Sequence, residues 1–150
     1  EYMQEGDRLV SEIEANSQAL MEDISDVFYQ VSDIESFMQA VEEAKDLTAQ
    51  LRDQADEAIS EFKKIAGLEG VQDYKDYADL KVQAGEKYKE MLDTIDEFLD
   101  EMTDLLESGT ADEEAINELV QSFQTEIEEL GSEMDDIESE AEALKEDKNL

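Results

Sequence analysis

Residues 116–144 read INELVQSFQTEIEELGSEMDDIESEAEAL. Within them Ile116, Val120, Phe123, Ile127, Leu130, Met134, Ile137, Ala141 and Leu144 follow one another at steps of 4 and 3 without a fault. An α-helix turns once in 3.6 residues, so this alternation holds the apolar side chains on one stripe. The intervening positions are largely acids. Glu126, Glu133 and Glu140 fall on one flank of the stripe, and Glu128, Glu129, Asp135, Asp136 and Glu142 lie farther round. Their natural reading is a solvated face set opposite a buried one.

The same pattern extends upstream. Tyr74, Tyr77, Lys81, Ala84, Tyr88, Met91, Ile95, Phe98, Met102 and Leu105 form a second seam, with Leu92, Leu99 and Leu106 beside it. A stripe this wide touches two neighbours, which favours a bundle over a two-stranded coil. Between the two seams, SGTADEEA supplies Gly109 as a helix stop and Thr110 or Asp112 as a cap, with Glu113 and Glu114 in the following first turn. Farther back, AGLEGVQ carries Gly67 and Gly70 and marks another turn. The first segment has Leu20, Ile24, Val27, Val31, Ile34, Met38 and Val41 at steps of 4 and 3, with Phe28 and Phe37 widening the stripe. Leu9 and Ile13 extend it backwards, with Ser17 where a core residue is due. Leu47, Leu51, Ala55, Ala58, Phe62 and Ile65 extend it forwards, after a phase fault at Val41, Ala44 and Leu47.

The expected fold is all-α: one domain over 1–150, an up-and-down antiparallel bundle of three to four long helices with coiled-coil-like packing. The expected helices cover about 7–66, 71–107 and 112–147. The first has two readings. Either it is one rod of roughly 90 Å that overhangs the others, or it parts near 43–48 into two members of a four-helix bundle.

Composition closes many routes. The chain has no Cys, His or Pro. Thiolate chemistry, imidazole metal sites and the commonest neutral-pH general base are excluded. No Glu-x-x-His pair for a di-iron bundle, no calcium-binding EF-hand loop and no phosphate-loop glycine spacing occurs. With 45 acids, carboxylate pairs arise by chance, so a hydrolase using them would need a cleft and a split pair of pKa values. No enzyme activity and no cofactor are expected. No apolar run approaches a membrane span, so no direct membrane insertion by this segment is expected. The first residue is Glu1 rather than Met, and a removed export signal or lipid anchor would leave no trace.

The net charge is −34. Residues 1–50 carry 13 acids and 2 bases, residues 51–100 carry 14 and 7, and residues 101–150 carry 18 and 2. Such a chain repels nucleic acid phosphates and attracts weakly bound cations or a basic partner. The most distinctive cluster is VQDYKDYADLKVQAGEKYKE, where Tyr74, Tyr77, Lys81 and Tyr88 interrupt an aliphatic seam. It reads either as a polar pocket between helices, with hydroxyls and the ammonium as donors, or as rings packed inward with a snorkelling lysine. The leading functional expectation is a non-enzymatic interaction or scaffold domain that binds a protein partner or self-associates, outside the cytoplasm or at the cell surface. The alternative is an extracytoplasmic ligand-sensing bundle with a small-molecule pocket near residues 74–88.

The charge far exceeds the magnitude of about 2–8 that keeps a small domain soluble. Self-repulsion should therefore weaken the fold, and 1 M salt, with a Debye length of about 3 Å, should relieve it. The midpoint of thermal unfolding is expected to rise on going from low salt to about 1 M NaCl. A flat or falling midpoint in circular dichroism melts would show that the repulsion is already compensated.

Overall fold

A computed structural model describes residues 1–29, 34–109 and 112–150. Val31 and Thr110, assigned above to the seam and to a cap, lie outside the described residues, as does the side chain of Phe28. The described residues form four helices, α1 (Tyr2–Tyr29), α2 (Ile34–Ala66), α3 (Gln72–Glu107) and α4 (Glu113–Lys148). No strand occurs among the described residues.

Contacts between helices give the topology. Gly6 lies against the Phe62 ring, where a Cβ would come within 2.6 Å of Cζ. Farther along α1, Asn16 donates to Gln54 at 3.1 Å. Residue numbers rise in α1 as they fall in α2, so the two are antiparallel. Lys45 pairs with Asp100, Arg52 with Asp93 and Lys89 with Asp56, which sets α3 antiparallel to α2. Phe98 stacks on Phe123 at 4.2 Å and Lys87 meets Glu133, which sets α4 antiparallel to α3. The result is the expected up-and-down helical bundle, with four members.

The first helix departs from both readings of it. Residues 43–48 are continuous α-helix inside α2, and the direction reverses between Tyr29 and Ile34. The 90 Å rod and the break near 43–48 are both replaced by two helices of roughly 42 and 50 Å. The apparent phase fault has a physical origin. The core position after Ala44 is filled by Thr48, which is 0% exposed, and Leu47 beside it is only half-buried. Thr48 tolerates this burial because its hydroxyl donates to the Ala44 carbonyl at 2.8 Å. With Thr48 counted, Phe37, Val41, Ala44, Thr48, Leu51, Ala55, Ala58, Phe62 and Ile65 keep the 4 and 3 rhythm, and all are buried. Ile34 and Met38, counted in the first seam, are exposed at 54% and 38%.

The other boundaries follow local chemistry. Gly109, at φ +68°, takes the left-handed conformation just past α3 that side-chain-bearing residues resist. Asp112 then caps α4 by accepting from the Ala115 N–H at 2.8 Å.

Burial is uneven. Leu20, Ile24, Val27, Leu51, Leu92, Leu99 and Met102 are almost fully buried. Of the faultless α4 seam only Phe123 and Ala141 are buried, and Ile127, Leu130, Met134 and Ile137 are half-buried. Helix α4 packs closely on α3 alone. The accessible surface is 8856 Å², against about 7,700 Å² for a compact monomer of this mass. Part of that excess lies where α4 should meet α1.

The few bases sit mainly between helices. Among the described residues ten of the eleven lie in ion pairs, and Lys45, Arg52, Lys63 and Lys89 all bridge α2 and α3. Carboxylates respond in both directions: burial pushes Asp96 above its usual range, whereas the Arg8 guanidinium holds Glu5 below its own.

Leu99→Ala should cost about 2–5 kcal/mol, as full burial of a leucine implies, and Leu130→Ala clearly less. A Cβ added at Gly131 would stand in open space, so Gly131→Ala should stabilise by about 1 kcal/mol through helix propensity. Urea unfolding of the three variants measures these differences.

Candidate functional site

A cleft of about 690 Å³ opens between α1 and α4, with α2 and α3 as its floor. Its cause is side-chain size. Small side chains recur along its lining: Ser17 on α1, Ala55 and Ala58 on α2, and Ala84 and Gly85 on α3. They fill less space than the leucines elsewhere in the seams. On the same floor Gly85 lets α3 approach α2 closely, because a Cβ there would sit 2.7 Å from Ile59. Leu20, Leu92 and Ile95 complete an apolar floor, and Met21, Met91 and Met134 stand on the walls. Methionine adapts its shape to what it meets.

The four residues singled out in the sequence part company here. Tyr74 is exposed at 40% and does not line the cleft. Tyr77 is fully buried, edge-on to Phe62 at 6.2 Å, and forms no part of the cleft wall. Lys81 and Tyr88 do line it. Lys81 does not snorkel: it is 6% exposed, and its ammonium is paired with Glu138 of α4.

Tyr77 belongs to a latch at one end. Its hydroxyl donates to Asp7 of α1 at 2.9 Å, and Lys145 of α4 donates to the other Asp7 oxygen at 3.2 Å. The Lys145 ammonium also stands 5.4 Å from the Tyr77 ring centroid, within cation–π range. Three helices are thus tied together where the cleft ends. Burial, followed by the bond to Asp7, raises the Tyr77 pKa well above that of a free phenol.

Ser17 and Tyr88 meet on the cleft wall at 2.6 Å. Ser17 has one proton, which can go to the Ile13 carbonyl at 2.7 Å. Ser17 can also donate to the Tyr88 oxygen, so either hydroxyl can supply the proton between them. Burial raises its pKa, and the Ser17 bond only partly offsets this. Ser17 was visible in the sequence as a polar interruption of the α1 seam, but nothing there tied it to Tyr88. The small residues of α2 and α3 read as ordinary seam positions, and only the fold brings them onto one lining.

Among the described residues no group of three or more acids is arranged to hold a metal ion, and no helix is long and apolar enough to cross a membrane. Fold and cleft define a class, an up-and-down four-helix bundle left open between its first and last helices. No protein-family model, curated protein or solved structure matches the chain.

Tyr77→Phe should lower stability at pH 7 by about 1.5–3 kcal/mol, the worth of a hydrogen bond to a charged acceptor. The raised folded-state pKa sets the sign of the pH effect. The stabilisation is complete below the free-phenol value of about 10 and is lost as pH rises towards the folded-state value. Wild-type unfolding free energy should therefore fall above about pH 10, and the Phe variant should show a shallower fall. Parallel slopes in the two proteins would assign no such role to Tyr77.

Proposed function

We propose that the chain is a non-enzymatic helical binding module whose cleft between α1 and α4 receives a small ligand with an apolar body. The observation that carries this reading is the cleft itself. Its volume of about 690 Å³ falls within the roughly 300–1,000 Å³ of small-molecule sites. Its floor is aliphatic, and its polar groups are few and placed at the walls, which is how such sites orient a ligand. The latch at Asp7, Tyr77 and Lys145 supports the reading by holding the frame together without filling the space.

A second reading, an acidic interaction or scaffold domain, draws on the half-covered seam of α4. It is weaker at α1, because Leu9, Ile13, Leu20 and Ile24 are buried. The stripe that an overhanging first helix would have offered to a second copy is already covered.

The chain contains no Trp, so a tryptophan placed at Met134 on the cleft wall is a unique reporter. Titration of the Met134→Trp protein with the neutral fluorophore N-phenyl-1-naphthylamine should give saturable one-to-one binding, with energy transfer from the indole. In the otherwise wild-type protein, Ser11→Trp should obstruct the mouth and weaken binding at least tenfold while leaving the helical signal intact. Absence of saturable binding in the wild-type protein would overturn the reading. Full occupancy in the obstructed variant would move the site elsewhere.

A further inference from the structure

We infer that the cleft selects ligands carrying a positive charge next to their apolar body. This rests on the binding reading above and adds the chemical class. Two independent observations lead to it. The first is the inventory of hydrogen-bond capacity. The Tyr88 hydroxyl is engaged with Ser17, and the Lys81 ammonium is held by Glu138. The Lys145 ammonium lies between Asp7 and Glu142. Both cationic donors at the cleft are thus already neutralised by the protein's own carboxylates. What the walls leave over is acceptor capacity on free carboxylates.

The second observation is the charge on the two lips. Glu14 on α1 and Asp135 on α4 both line the cleft. Neither has a cationic partner among the described residues, and neither is buried. They stand on the two helices that fail to close, so a cation entering between them is met by an acid from each side. An anion would have to displace a carboxylate from Lys81 or Lys145 and would then face the remaining acids. The occupant that fits is an alkyl or aryl ammonium compound, with the hydrocarbon on the floor of Leu20, Leu92 and Ile95 and the charge at the lips. The net charge of −34 adds long-range attraction for any cation, but that field is screened by salt, whereas close contacts inside a cleft are screened less.

A chain-matched competition separates these effects. Decyltrimethylammonium, 1-decanol and decyl sulfate, all below their aggregation limits, would displace N-phenyl-1-naphthylamine at about 0.5 M NaCl, where the long-range field is largely screened. With each lip carboxylate contributing as a solvent-exposed pair, the ammonium should bind roughly fivefold tighter than the alcohol and roughly thirtyfold tighter than the sulfate. The double variant Glu14→Gln, Asp135→Asn should lose most of that preference and keep its affinity for the alcohol. Equal displacement by all three compounds would refute the charge selection while leaving the binding reading intact. A preference that survives unchanged in the double variant would refute the role of the lips and assign the effect to the general field. If the fluorophore itself fails to bind, the underlying reading fails first.

Discussion

Side-chain volume at the helix seams governs this molecule. Each helix hides one apolar stripe, and where the stripe carries leucine, isoleucine or phenylalanine on every side the helices close on one another. Leu20, Ile24, Leu51, Leu92, Leu99 and Met102 are almost wholly shielded from water. Where Ser17, Ala55, Ala58, Ala84 and Gly85 share one lining, the same packing rule leaves a void. Helix α4 then lacks a second neighbour, which is why a seam of faultless spacing remains half-buried. Burial is decided by what stands opposite a residue as much as by the residue itself.

Much of the architecture was legible because helical periodicity is a local property. The spacing in α3 and α4 located both helices, and Gly109 and Asp112 located the turn between them. The first reversal was not legible, for two reasons. The 4 and 3 rhythm from Leu20 to Val41 continues by coincidence across the reversal, and neither Gly nor Pro stands there as punctuation. Thr48 added a false signal farther on. A threonine can serve as a core residue when the carbonyl four residues earlier takes its hydroxyl. Reading it as polar shifted the seam to Leu47 and suggested a break inside a continuous helix.

The site was legible only in part. The aromatic and lysine cluster of α3 stood out against an aliphatic background, yet its members serve different ends. Tyr77 is structural, a buried ring tied to Asp7, whereas Tyr88 and Lys81 face the cleft. Sequence spacing assigns a face of a helix but not the partner across it. Ser17, 71 residues from Tyr88 in the chain, could be joined to it only in three dimensions.

The bases that bridge helices sit mainly on seams that are closely packed. Four of them bridge α2 to α3, and Lys81 and Lys87 bridge α3 to α4. Helix α1 has only Arg8, and that guanidinium is engaged by Glu5 and Glu12 of its own helix. Among the described residues, Lys145 alone carries positive charge across from α4 to α1, and it does so at the latch. Beyond that point Glu14 and Asp135 stand on opposite lips with no cation from the described residues between them. The uneven charge of the three thirds of the chain thus follows the seams: most of the bases that bridge α2, α3 and α4 come from the middle third.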